Sequence, residues 1–135
     1  MAVGDLELND DGMCFGCGQR NPIGLKLEFD SIDREYVAEF TPAAEHQGWM
    51  GITHGGILAT VVDEAMGRLA WTSGYRAVTA EMSIRFKRPA ETGKPHLVAA
   101  WIVSTEGRTV HCKAEVRQPD GTIVAEASAT MIIVG

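Results

Sequence analysis

The stretch from Gly51 to Trp71 limits the possible folds of this chain more than any other part of it. It reads Gly51-Ile52-Thr53-His54-Gly55-Gly56-Ile57-Leu58-Ala59-Thr60-Val61-Val62-Asp63-Glu64-Ala65-Met66-Gly67-Arg68-Leu69-Ala70-Trp71. From about Gly55 onward, Leu58, Val61, Val62, Ala65, Met66 and Leu69 recur at helical spacing and cover one broad arc. Thr60, Asp63, Glu64, Gly67 and Arg68 fall on the opposite side. Such a helix must be covered by other parts of the protein, and Ser73-Gly74 ends it in the way helices commonly stop.

The covering elements follow directly. After Gly74 the apolar period changes from helical to alternating: Val78, Ala80, Met82, Ile84 and Phe86 interleave with Thr79, Glu81, Ser83 and Arg85, the pattern of a half-buried strand. Further strands are expected at Leu97 to Val103, Thr109 to Arg117 and Thr122 to Val134, with turns at Glu106-Gly107 and Pro119-Asp120-Gly121. Ahead of the helix, Leu25 to Phe29 and Tyr36 to Phe40 read as short strands joined by a polar turn at Asp30 to Arg34. Thr41 to Thr53 reads as a loop. One buried helix followed by a four-strand antiparallel meander gives an α+β fold, with the sheet curled around the helix.

The chemistry is concentrated on the same segment. A carboxylate on a largely apolar helix is costly unless it is hydrogen-bonded or functional. Asp63 is flanked by Ala59, Gly67 and Ala70, whose small side chains leave a shallow groove beside it. Gly55 and Gly56 place bare backbone N–H groups at the positive end of the helix dipole, where an oxyanion would be stabilised. An acid and an oxyanion site on one short segment suggest acyl transfer chemistry.

The bulk numbers narrow the class. With 135 residues, 45% apolar and 22% charged, the chain is expected to form one domain over residues 1–135, with 1–13 as an N-terminal extension. The net charge of −6 argues against a general nucleic-acid binder. No apolar run reaches the roughly 20 residues needed to span a bilayer. The acidic N-terminus has no signal-peptide character, so a cytoplasmic location with no membrane partner is expected. Three cysteines, an odd number, speak against a disulfide framework. Cys14-Phe15-Gly16-Cys17 has the spacing of half a zinc site but no second pair to complete it, so a turn of small residues is expected there and no metal.

The segment His54-Gly55-Gly56 with Asp63-Glu64, followed by strands entered through Arg85-Phe86-Lys87-Arg88-Pro89-Ala90, resembles the hotdog-fold thioesterases, and most closely the PaaI-like acyl-CoA thioesterases. Cys14-Phe15-Gly16-Cys17-Gly18, Asn21-Pro22-Ile23-Gly24-Leu25 and Glu45-His46-Gln47-Gly48-Trp49 extend the resemblance over nearly the whole chain. It implies a curved antiparallel sheet around a central helix, homodimers with active sites at the subunit interface, and pairing of dimers into tetramers. It implies hydrolysis of an acyl-CoA to a free acid and CoA, with no cofactor other than the CoA of the substrate itself. Carried over by position, Asp63 is the general base or nucleophile, and Gly55 and Gly56 are the carbonyl donors. His54 fixes the turn, and Thr79 orients the attacking water. A non-catalytic acyl-CoA-binding module is the alternative, with a hotdog hydratase or dehydratase behind it.

Gln47 stands one position from the Asn or Gln many members carry, because Gly48 occupies that place. Glu64, four residues before Arg68, reads as a surface ion pair, and its place beside Asp63 also makes it a candidate for substrate contact. Arg85, Lys87, Arg88 and Arg108 are candidate contacts for the CoA phosphates, against the plainer reading of edge charges that deter aggregation. His46, His96 and His111 give no comparable signal and are expected to be structural or exposed.

Overall fold

A single long helix, α1 (Gly55–Thr72), lies across one face of a six-stranded antiparallel sheet. The computed structural model describes residues 5–135. The strands are β1 (Asp30–Ile32), β2 (Glu35–Phe40), β3 (Ala77–Phe86), β4 (His96–Glu106), β5 (Thr109–Arg117) and β6 (Ile123–Ile133), in the spatial order β1-β2-β4-β5-β6-β3. The α+β architecture and the helix bounds agree with the sequence reading.

The helix buries the face its periodicity marks. Val61, Val62, Ala65, Met66 and Ala70 are fully enclosed and Leu58 nearly so. Each enclosed valine or methionine contributes about 1.5–3 kcal/mol relative to exposure. Opposite them the sheet presents many small side chains, among them Ala100, Ala114, Ala125, Ala127 and Ala129, with Val98, Val116 and Met131 between. Small sheet residues let the helix backbone approach closely. α1 begins at His54, whose ring Nδ1 accepts from the Gly56 amide at 2.8 Å, and ends at Ser73 before the left-handed Gly74 (φ 94°).

Three details differ from expectation. The strands after the helix do not form a four-strand meander. Only β4, β5 and β6 do, while β3 crosses to the far edge and pairs with β6 from Ala77↔Ile133 to Phe86↔Ala125. As an edge strand with a bulge between Thr79 and Glu81, β3 loses strict alternation, so Ala80 and Phe86 are exposed although the pattern put them inside.

Second, Leu25 to Phe29 is not a strand. Lys26 is left-handed (φ 53°), and the amides of Leu25 and Leu27 bond to the carbonyls of Phe15 and Gly16 instead of to a neighbouring strand. Third, the turn before β2 is tighter than the five-residue turn expected over Asp30 to Arg34. Asp33 and Arg34, both at positive φ, close a two-residue hairpin turn whose twist suits the flanking strands.

Candidate active site

Asp63 lies on the flank of α1 that faces β3, and its half-buried carboxylate accepts a 2.7 Å hydrogen bond from the Thr79 hydroxyl. Thr79 is presented there by the bulge at the start of β3. The two residues that the resemblance paired are therefore in direct contact, with the threonine hydroxyl donating to the carboxylate.

The helix N-terminus is more selective than the two glycines suggest. The Gly56 amide is engaged by His54 Nδ1, and the Ile57 and Leu58 amides both turn to the His54 carbonyl, at 2.9 and 3.2 Å. That leaves Gly55 as the first-turn residue whose N–H has no partner among the described residues. A cavity of about 360 Å³, lined by Gly48, Trp49, Thr53, His54 and Gly55, opens beside it. Gly48 packs closely here: a Cβ would come 3.3 Å from the His54 backbone, so the loop would have to give by a few tenths of an ångström to take a side chain. Thr53 also belongs to this cavity. Its hydroxyl is buried and unpartnered among the described residues, a feature the sequence reading missed because the threonine looked like ordinary loop.

Asp63 and Gly55 of one chain do not form one site. They stand eight residues apart on a straight helix, about 12 Å at the usual rise per residue. A reacting carbon needs both groups within about 3 Å. One copy thus holds the Asp63 carboxylate at one place and the unpartnered Gly55 amide at another.

The remaining candidates are dispersed. Gln47 uses its Oε1 to accept from the Gly51 amide at 3.2 Å, bracing its own loop. Arg85 is on the sheet face away from α1, in a shallow groove with Trp101 and Lys113. Lys87 pairs with Glu126 at 3.5 Å. Arg108 donates through Nε and Nη2 to the Ile133 carbonyl, at 3.3 and 3.0 Å. Arg88 follows Lys87 beyond the end of β3, exposed, and the amides of both bond to the Val124 carbonyl. Arg85 and Lys87 thus both neighbour Glu126 near the end of β3, whereas Arg108 lies apart, against the Ile133 carbonyl. His46 accepts from the Ala43 amide, His96 is buried against the Lys94 carbonyl and His111 meets the Thr130 hydroxyl, which are structural placements as expected.

Glu64 is the clearest correction. Arg68 pairs with Asp10 at 3.4 Å rather than with Glu64. Glu64 instead turns under the Cys14–Cys17 loop, where its Oε2 accepts from the Cys14 thiol at 3.3 Å. The i,i+4 spacing was correct, but the loop folds over this side of the helix and captures the carboxylate.

The comparisons agree with this architecture. A family model described as the thioesterase superfamily matches residues 50–125, which include α1, β3, β4 and β5. The chain belongs to the thioesterase superfamily. Acyl-coenzyme A thioesterase THEM4 of Bos taurus is 33% identical over 114 residues, covering 81% of this chain and 47% of that protein. The chain thus spans about half the length of the curated relatives it matches.

Among solved structures, RHA08564, a thioesterase superfamily protein, superposes with a TM-score of 0.85 at 22% identity, over 90% of this chain and 60% of that one. A thioesterase from Streptococcus pneumoniae solved with coenzyme A gives a TM-score of 0.75 at 22% identity, over 81% of this chain and 86% of that one. Aspartate-to-alanine and threonine-to-alanine variants of a hypothetical thioesterase from the same organism have also been solved. The hotdog fold of the PaaI-like type, expected from the motifs, is the fold observed.

Proposed function

We propose that this protein hydrolyses acyl-CoA thioesters and that its working unit is at least a homodimer, in which Asp63 of one copy meets Gly55 of another. The observation that carries the reading is the half-buried Asp63 carboxylate held by the Thr79 hydroxyl on the flank of an otherwise apolar helix. A pure binder has no need of a costly acid there. The variants of the S. pneumoniae protein support the same pair: the altered aspartate and threonine are 16 positions apart, as Asp63 and Thr79 are here.

The thioester carbonyl would lie on the Gly55 N–H in the cavity beside Trp49 and Thr53. Asp63 would then either take the proton of the attacking water or attack the carbonyl carbon itself. Both routes place negative charge on the same oxygen, and the helix N-terminus and a preorganised amide stabilise it. Gly56 contributes by holding the His54 ring rather than by facing substrate. CoA is part of the substrate, and no other cofactor is required. For the CoA phosphates, Arg85, Lys87 and Arg88 at the end of β3 are the cations one chain gathers, and Arg108 stands apart from them.

The test is thiol release from a panel of acyl-CoAs with wild type and Asp63→Asn. Turnover should fall by about 10²–10⁴-fold with the melting temperature retained. Hydrolysis by Asp63→Asn at the wild-type rate would remove Asp63 from the mechanism. Tight binding of every acyl-CoA with no turnover by wild type would favour the binding module.

A further inference from the structure

The Cys14–Cys17 loop and Glu64 form a second constellation on the molecule that thioester hydrolysis does not use. The two sulfurs and a Glu64 carboxylate oxygen lie within 4.8 Å of one another, all partly shielded from solvent. The loop is built for this approach. Gly18 N bonds Cys14 O at 2.8 Å, and a Cβ on Gly18 would come within 2.4–2.6 Å of the Gly12 and Cys14 backbone. A Cβ on Gly16 would fall 2.6–2.8 Å from the Glu64 carboxyl group. A side chain at 18 would therefore collide with fixed backbone, and one at 16 would push the Glu64 carboxyl group out from under the loop.

What it closes over is incompletely satisfied. Glu64 Oε1 is buried and has no partner among the described residues, while Oε2 receives only a thiol, a weak donor. A buried carboxylate with an orphaned oxygen is costly. A divalent cation reverses this balance, since it stabilises both thiolates and supplies the missing partner for the carboxylate.

We propose that Cys14, Cys17 and Glu64 bind one thiophilic divalent cation of the zinc class, pinning the N-terminal loop to the flank of α1. The donor set suits it: two thiolates at the two-residue spacing of zinc knuckles and a carboxylate oxygen give three of four tetrahedral ligands. Zn–S of about 2.3 Å and Zn–O of about 2.1 Å make a tetrahedron with edges of about 3.5–3.8 Å. The Cys14 sulfur already stands 3.3 Å from Glu64 Oε2, and no pair among the three ligand atoms is more than 4.8 Å apart. The fourth position faces a cavity of about 420 Å³ bordered by Gly67, Arg68 and Trp71, where a water can complete the shell. On binding, the two thiols lose their protons to solvent and no electron is transferred. The proposal does not depend on the hydrolase reading.

The test is cobalt(II) titration of the chelator-stripped 135-residue chain under reducing conditions. Wild type should take up one equivalent with thiolate-to-cobalt charge-transfer absorption, release protons as it does so, and lose the absorption when zinc is added. Cys14→Ser/Cys17→Ser should abolish the charge-transfer band, and Glu64→Gln should weaken binding by about tenfold or more. Absence of the band in wild type overturns the site. A band with unchanged affinity in Glu64→Gln overturns the carboxylate's part in it. If the double cysteine variant does not fold, wild type and Glu64→Gln decide between them.

Discussion

Replacing Gly55 with proline should separate catalysis from stability at a single atom. Gly55 is the first residue of α1, and its N–H is the orphan donor proposed to face the thioester carbonyl. Proline is well tolerated at this position, because the missing N–H has no intrahelical partner to lose. His54 before it is already extended (φ −61°, ψ 135°), which suits a residue preceding proline. A Cβ at position 55 would meet the Phe86 ring at 3.5–3.6 Å, ordinary van der Waals contact. The fold should therefore be unharmed, or gain about 0.4–1 kcal/mol from the stiffer unfolded chain. Loss of one preorganised oxyanion donor costs about 2.7–4 kcal/mol in the transition state, or a hundred- to a thousandfold in turnover. The assay is thiol release beside a thermal melt, with Gly55→Ala as the control that keeps the N–H and adds similar bulk. If Gly55→Pro stays within a few-fold of wild type, the amide is not the oxyanion donor. If Gly55→Ala falls as far as Gly55→Pro, the loss comes from occupied space rather than from the hydrogen bond.

Two further outcomes follow from particular contacts. His54→Ala removes the ring that accepts from Gly56 and should cost about 1 kcal/mol, seen as a melting temperature lower by a few degrees, while His54→Asn should restore most of it. The Arg117 guanidinium, donating to Glu35 at 2.7 and 3.0 Å, holds the Glu35 carboxyl below its ordinary 4.5. A depressed carboxyl contributes stability that is present above the unfolded value and lost as the pH falls through the folded one. Denaturant melts should therefore show Glu35→Gln less stable than wild type at pH 7, by about 1 kcal/mol or less for so solvent-exposed a pair, with the gap closing below pH 4.5. A gap that widens in acid would contradict the pairing.

How much could be read from the chain depended on how local each determinant was. The buried face of α1, its glycine stop and the four long strands after it depend on periodicity and turn residues, so they were legible in the sequence. The placement of β3 beside β6 is a long-range pairing that no local pattern encodes, and alternation alone could not show that β3 would be an edge. At the site, Asp63 stood out because an acid on an apolar helix is anomalous. The roles of Gly55 and Gly56 could not be separated, because the choice lies in which amide the His54 ring reaches. Glu64 was misassigned because its local partner at i+4 lost to a loop fifty residues earlier in the chain.

The pairing of β3 with β6 sets an order on synthesis. When Phe86 leaves the ribosome, α1 and β3 have been made, but the strand that will flank β3 has not. β2 likewise waits for β4. At ordinary elongation rates β6 follows on the order of seconds later. During that interval the helix and the ten-residue strand have each other but none of the sheet that will cover them. The apolar face of the helix therefore stays partly uncovered until β6 arrives, and the sheet closes only when that strand slots in between β5 and β3.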